Sequence, residues 1–292
     1  MGAGAPSAAH GSDRGAFPDL IVIGAAKCGT TSLHHQLDLH PQIAMTREKE
    51  LHFFTGGRRW ERGLDWYRAQ FDPRAPVRGE ASVTYTAFPK HRGVPQRMHD
   101  IVPDVRLLYI VRDPIARIVS DYVHRFSDGL EHRPLRDALE VLEGNDLVER
   151  SRYHLQLEQY LAVYPRDQLR VVSLERLRAD PAGVLRGIYR FLEVDPAFAS
   201  PRLHDVWNPT AVKRRKGPVA RALYRLSRTA PARILSPEMR RRIGLVLYRP
   251  FSRPIQRPSL DDITRARLVD FLAPDAARLR ALTGEAFAEW SV

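Results

Sequence analysis

Between positions 20 and 32 the chain runs Leu-Ile-Val-Ile-Gly-Ala-Ala-Lys-Cys-Gly-Thr-Thr-Ser, and this stretch limits what it can fold into more than any other. The apolar, β-branched run from Leu20 to Ile23 ends at a glycine and predicts a strand buried on both faces of a parallel sheet. Gly24 and Gly29 bracket a turn that holds Lys27 and Cys28, and Thr30, Thr31 and Ser32 lead into a helix predicted to begin near Ser32 and Leu33. Strand, glycine turn, lysine, hydroxyls and helix start together make a phosphate cradle. Backbone N–H groups and the helix N-terminus bring partial positive charge, the lysine a full one, and the hydroxyls further donors. The spacing is not that of the nucleoside-triphosphatase loop, G-x-x-x-x-G-K-[ST], because Lys27 precedes Gly29 instead of following it.

The rest of the chain supplies the sheet such a loop needs. Residues 77–83, 105–111 and 169–173 read as strands, the second of them apolar on both faces and therefore central. Helical patterns fall near 64–71, 134–142, 151–164, 182–192 and 260–282. A further helix starts at Asp113-Pro114, aspartate as N-cap and proline in the first position, with Ile115, Ile118, Val119, Tyr122 and Val123 along one face. Strands alternating with helices predict an α/β fold: a P-loop-like parallel β-sheet flanked by helices on both faces. With 292 residues, 43% hydrophobic and 27% charged, the chain suits a single domain over residues 18–292, preceded by a disordered, Gly/Ala/Ser-rich tail over 1–17. From Asn208 to Arg257 the character changes. Lys213-Arg214-Arg215-Lys216-Gly217 opens a segment that runs on through Arg240-Arg241-Arg242 and reads as a basic C-terminal cap over the sheet.

Composition narrows the function classes. One cysteine, Cys28, excludes internal disulfides and cysteine-rich zinc sites. No run of 18 apolar residues exists to span a membrane, and the first 17 residues lack the apolar core of a signal peptide. Pro6 stands where a myristoylation signal needs serine or threonine, so the reading is of a cytoplasmic protein. The net charge of +12 suits anionic partners such as phosphorylated nucleotides or acidic glycans, and offers a surface for peripheral membrane contact. Only five residues are lysine, which makes Lys27 in a glycine turn less incidental. No nucleic-acid motif accompanies the basic run, and no nucleic-acid partner is expected; the oligomeric state is not legible.

Two further constellations carry chemistry. Arg112 directly follows the 105–111 strand, at the carboxyl end where open α/β sheets bind ligands, and Ser120 lies two turns along the next helix. An arginine fork and a hydroxyl suit a second phosphate. In the segment Lys-Glu-Leu-His-Phe-Phe, alternation places Glu50 and His52 on one side of an extended strand, with Leu51 and Phe53 on the other. A carboxylate beside an imidazole can take the proton from a hydroxyl nucleophile.

Lys-x-Gly-Thr-Thr-Ser after a strand, Lys-Glu-x-His-Phe-Phe, and Val-Arg-Asp-Pro-x-x-Arg-x-x-Ser-x-Tyr, in that order, resemble the sulfotransferases that use 3′-phosphoadenosine 5′-phosphosulfate (PAPS). The likeness is strongest to the carbohydrate branch, the heparan sulfate N- and 3-O-sulfotransferases and their bacterial relatives, and covers about residues 18–192, with a weaker echo in 273–290. The resemblance implies that Lys27, Cys28, Gly29, Thr30, Thr31 and Ser32 hold the 5′-phosphosulfate, with Lys27 also stabilising the departing oxygen. It implies that Arg112 and Ser120 bind the 3′-phosphate, that Lys216 and Gly217 lie in a loop over it, and that Glu50 is the general base with His52 as neighbour. It implies PAPS as co-substrate, PAP as product, a glycan or small-molecule acceptor, and no metal. One departure stands out: the heparan enzymes carry Glu-Lys-Thr-Pro where this chain has Glu80-Ala81-Ser82-Val83, so their lysine is Ala81 here. The strand–turn–helix alone fits a P-loop kinase or nucleotide hydrolase equally, and the basic run alone fits a nucleic-acid or membrane-binding module.

Overall fold

A computed structural model describes residues 17–204, 214–216, 252–254 and 258–292. The tail predicted over 1–17 (Phe17 excepted) and most of the basic segment, Gly217 and Arg240 to Arg242 among it, lie outside the described residues.

Five parallel strands form one sheet in the order β2-β3-β1-β4-β5, with β1 at Leu20–Gly24, β2 at Ile43–Met45, β3 at Val77–Ala81, β4 at Arg106–Val111 and β5 at Leu169–Ser173. Every residue of β1 is buried, which requires cover on both faces of the sheet. β1 is the middle strand and β4 its neighbour: Leu20 pairs with Gly79 of β3 on one side and with Arg106 of β4 on the other. The register with β4 slips between Val22 and Gly24, just where the chain leaves the sheet for the lysine turn.

Helices follow the strands. Thr30–Asp38 (α1) comes after β1, Gly63–Arg68 (α2) and Val94–Ile101 (α3) flank β3, and Pro114–Asp128 (α4) follows β4. Short helices at Leu135–Ala138 (α5) and Asp146–Glu149 (α6) precede Tyr153–Leu161 (α7); Leu174–Ala179 (α8) and Pro181–Leu192 (α9) follow β5. Asp113 caps α4 by accepting from the Ala116 N–H at 2.6 Å, and Pro114 occupies the first position. The predicted apolar face of α4 packs with Leu135, Leu139, Leu147, Leu268 and Leu272 in a core of its own, separate from the larger one around the sheet. A final helix, Asp262–Thr283 (α10), packs across α7 and α4. It also caps α7 from outside, since the Asp275 carboxylate accepts the N–H groups of His154 at 3.0 Å and Leu155 at 2.9 Å. Between α9 and α10, Arg214–Lys216 (β6) pairs antiparallel with Ser252–Pro254 (β7), and β6 lies against α4.

The structure alters several local expectations. The first helix begins at Thr30, one residue after Gly29, which adopts a left-handed φ of 86° as its N-cap. The segment holding Glu50 and His52 is not a strand: His52 has φ 54° and opens a 3-10 turn at Phe53–Thr55, closed by the Thr55 hydroxyl donating to the His52 carbonyl. The sidedness survives without the strand, because Leu51 and Phe53 are buried while Glu50 and His52 are half-buried.

Candidate active site

The lysine turn is held from outside by two arginines that take its carbonyls. Arg112 donates from Nη1 to the Lys27 carbonyl at 3.3 Å, and the fully buried Arg117 donates to the Ala26 carbonyl at 3.4 Å. Lys27 itself has φ 71°, a conformation that costs a non-glycine residue about 1–2 kcal/mol and is kept only where surroundings enforce it. Another residue at Gly29 would be strained by the positive φ, and its Cβ, 2.6 Å from Leu174 Cδ1, would force that side chain to shift. In α1 the first intrahelical bond is made by Leu33 N–H to the Gly29 carbonyl, and no side chain caps the helix. The N-terminal end of α1, with its partial positive charge, therefore lies at the lysine turn.

Cys28 sits in this loop but faces inward. Its Sγ lies 3.6 Å from the Tyr153 hydroxyl, fully buried, and its N–H donates to the Ala25 carbonyl at 3.2 Å. Burial raises the thiol to about 11, with Arg117 pulling the other way, so it is a neutral core group and no nucleophile.

Arg112 and Ser120, the residues expected at a second phosphate, each carry a buried polar atom without a hydrogen-bond partner among the described residues, Nε of the first and Oγ of the second. Buried polar atoms are rarely left unpaired, and a fork nitrogen plus a hydroxyl are the donors a phosphate needs. The Tyr153 hydroxyl donates to the Arg112 carbonyl at 2.9 Å and fixes the strand end from behind. Lys216 is on β6, the strand that lies against the Ser120 helix.

Glu50 is presented from the other side of the loop. Its Oε2 accepts the Val83 N–H at 3.0 Å and lies 3.9 Å from His52 Nε2, while Oε1 is paired with the Lys49 ammonium. At 32% exposure the carboxylate is still reachable by a ligand. His52 is anchored by Nδ1 to the Thr84 hydroxyl at 2.7 Å. Burial lowers its proton affinity; Glu50 raises it in part, and Arg59 and Lys49 lower it further, so the ring is neutral at neutral pH. Ala81, where the heparan enzymes carry lysine, is fully buried; the cation beside Glu50 in this chain is Lys49.

Two residues of the site escaped the sequence reading. Arg117 stands in the Val-Arg-Asp-Pro-x-x-Arg motif, and besides Ala26 it donates to the Ser151 hydroxyl, the Leu147 carbonyl and Asp121. Burial opposes ionisation of Asp121, but Arg117, Arg125, Arg150 and Lys27 outweigh it and hold its carboxyl below the usual range. Glu80 is the second. It is fully buried at the carboxyl end of β3 and accepts from Tyr67 at 2.6 Å, Ser82 at 2.9 Å and Tyr85 at 3.1 Å. Burial pushes its carboxyl up to about 7 against the pull of those hydroxyls. The available signal was an acidic residue at a strand end, on the same alternation face as Arg78; Arg78 finds Asp19 at 2.9 Å, whereas Glu80 sits where ligands bind. Among the described residues no group of three or more His, Cys, Asp or Glu side chains is placed to hold a metal ion. Nor, among them, is any helix long and apolar enough to cross a membrane.

The lysine turn, Arg112 with Ser120, and the Glu50 carboxylate lie in a chain that comparison with known proteins places in a family. The chain matches the sulfotransferase domain family over residues 17–241. It belongs to that family. Over 196 residues it is 34% identical to human heparan sulfate glucosamine 3-O-sulfotransferase 6, an alignment covering 63% of this chain and 54% of that protein. Over 209 residues it is 29% identical to the Drosophila melanogaster bifunctional heparan sulfate N-deacetylase/N-sulfotransferase, covering 62% of this chain and 20% of that one. The chain thus spans about half the length of the human relative. The crystal structure of a sulfotransferase from Alicyclobacillus acidocaldarius superposes with a TM-score of 0.66 at 27% identity, covering 95% of this sulfotransferase-family chain and 100% of the other.

Proposed function

We propose that the protein transfers the sulfuryl group of PAPS to a hydroxyl or amine of an acceptor, a carbohydrate or a glycosylated, lipid or specialised metabolite. The observation that carries the donor is the pairing of two anion sites: the N–H cradle of α1 with Lys27, and the unsatisfied Arg112 Nε and Ser120 Oγ. A nucleotide with phosphates at both 3′ and 5′ positions fills both; one with a 5′-phosphate alone leaves two buried donors unpaired. Lys27, Gly29, Thr30, Thr31 and Ser32 hold the 5′ end, and Lys216 and Gly217 complete the 3′ side. Cys28 contributes the shape of the turn and not a contact. Relatives named for heparan sulfate glucosamine support a sugar acceptor, and Ala81 in place of lysine argues for one handled differently from theirs.

The residues support direct displacement. PAPS supplies a sulfuryl group with a good leaving phosphate. Glu50, half-exposed and aimed by the Val83 N–H, takes the acceptor proton as the new bond forms, with neutral His52 beside it. Lys27 offsets charge on the leaving oxygen. A sulfuryl group carries one negative charge less than a phosphoryl group, so lysine and arginine suffice for the charge that a kinase meets with Mg²⁺.

Thermal-shift titration tests the donor assignment. Adenosine 3′,5′-bisphosphate (PAP) should raise the melting temperature by mass action at concentrations where AMP has little effect; equal shifts would overturn the two-site reading, and Mg²⁺-dependent ATP consumption would replace it with the kinase. Glu50→Gln should lower sulfuryl transfer from PAPS at least 100-fold, read as an 80-dalton gain on the acceptor (the mass of SO₃) in a metabolite extract, with PAP binding unchanged. Full activity in that variant would remove Glu50 as base.

A further inference from the structure

Glu80 is a buried acid that the chemistry above does not use. A carboxylate taken from water is costly unless its lone pairs are filled, and here three hydroxyls fill them: Tyr67 and Tyr85 donate to Oε1, and Ser82 donates to Oε2. What those hydroxyls do with their own lone pairs matters more. Ser82 Oγ accepts the His52 N–H at 3.1 Å, and the Tyr85 oxygen accepts the Phe54 N–H at 3.5 Å. A backbone amide can only donate, so each hydroxyl must spend its proton on Glu80. The polarity of both relays is therefore fixed from each end, and it requires acceptors on both oxygens of Glu80.

Tyr67 extends the same hold by packing. Its ring stacks on Phe53 at 4.4 Å between centroids and meets Phe54 edge-on at 5.2 Å. Every group that Glu80 fixes thus bears on residues 52–54, the turn that begins two residues after Glu50. The adjoining residues of the same strand end finish the job, since Val83 N–H holds Glu50 Oε2 and the Thr84 hydroxyl holds His52 Nδ1. The Glu50 segment has no strand ladder to rigidify it, and His52 lies in the left-handed region; its geometry comes from this set of contacts.

We propose that Glu80 is a positioning residue for sulfuryl transfer, which through the Ser82 and Tyr85 hydroxyls fixes the backbone of His52 and Phe54 and so aims the Glu50 carboxylate. The inference rests on Glu50 as the base. Glutamine at position 80 keeps the shape but turns one acceptor into an NH₂ donor facing a hydroxyl that is itself committed to donate, so one relay breaks without a cavity.

The experiment measures PAP released from PAPS, with water or an added methyl glycoside taking the sulfuryl group, together with amide hydrogen exchange. In Glu80→Gln we expect kcat to fall 10- to 100-fold, with KM for PAPS and the PAP dissociation constant within twofold, and the His52 amide to lose at least tenfold of its exchange protection. Ser82→Ala breaks one relay and should do the same; Ser82→Thr, which keeps the hydroxyl, should recover most of the rate that Ser82→Ala loses. In the double variant Glu80→Gln/Ser82→Ala the loss should be well below the product of the two single losses, because both cut one path. A Glu80→Gln protein with kcat within twofold of wild type overturns the proposal, as does one whose kcat and PAP affinity fall together, the mark of a general packing role. If Glu80→Gln does not fold, the Ser82→Ala and Ser82→Thr pair decides by the same criteria. Failure of the underlying reading looks different: Glu50→Gln would then be as active as wild type, whatever Glu80 does.

Discussion

Arg112 and Ser120 show how a single side chain can be placed at a cost to the fold. A buried donor without an acceptor forfeits about 1–3 kcal/mol, and both Arg112 Nε and Ser120 Oγ are in that position. The fold tolerates it because Arg112 is anchored elsewhere, by Nη1 on the Lys27 carbonyl and by its own carbonyl on Tyr153. Ser120→Ala removes one orphan hydroxyl and changes little volume. It should leave the melting temperature of the ligand-free protein unchanged or slightly raised. The same variant loses a hydrogen bond to a charged phosphate, worth about 1.5–3 kcal/mol, so PAP should bind roughly ten- to a hundredfold more weakly while AMP binding is unaffected. Isothermal titration with the two nucleotides measures this; equal losses for both would place Ser120 outside the 3′-phosphate site.

At the scale of elements, those with an apolar run or a capped apolar face were legible, and α3 at Val94–Ile101 was not. Leu20–Gly24, Arg106–Val111 and Leu169–Ser173 are short apolar runs, and α4 and α9 carry caps and one apolar face, so burial and pattern agree. The edge strand Ile43–Met45 was not: three residues give no period, and its place is set by pairing with β3. Nor were α6 and α8, of four and six residues, which tertiary packing stabilises and propensity does not, while the helix read over 134–142 shrinks to the four residues of α5. Glu50 and His52 could be read as candidates from residue type alone, whereas the 3-10 turn that presents them depends on Ser82, Thr84 and Tyr85, some 30 residues away. The first helix adds a consequence that no pattern announces. His34 on α1 is buried, and burial, with Lys49 and His35 adding like charge, lowers its pKa to about 3. Between pH 6.5 and about 3 the unfolded chain binds a proton there that the native state refuses, so stability falls as pH falls through that window. The slope from this one group is at most about 1.4 kcal/mol per pH unit. Urea unfolding at pH 7, 5.5 and 4.5 should show a shallower acid loss in His34→Leu than in wild type; parallel curves would mean that His34 titrates normally in the fold.

Across the whole molecule, the segment after α10 closes on the sheet edge proposed to bind the nucleotide. The Trp290 ring stacks on Phe287 at 4.3 Å and lies 5.6 Å from Tyr153, the residue that holds the Arg112 carbonyl. Ser291 donates from both its N–H and its hydroxyl to Asp113 Oδ2, while Oδ1 of the same carboxylate caps α4. The β4–α4 junction is thereby clamped between a residue some 40 positions ahead in the chain and a pair some 180 ahead. Trp290 is 8% exposed, and its removal should cost about 3 kcal/mol, lowering the melting temperature by roughly 6–12 °C. A loss of that size anywhere in the core would do as much. The clamp predicts something more selective, because loosening Tyr153 and Asp113 lets Arg112 depart from the geometry its buried Nε needs. Trp290→Ala should therefore weaken PAP binding at least fivefold at a temperature where it is fully folded, whereas Leu185→Ala, a comparable core loss on α9, should leave PAP affinity within twofold. If both variants melt early and bind PAP like wild type, the segment is packing alone, and the 3′-phosphate arm is set by β4 and α4 without it.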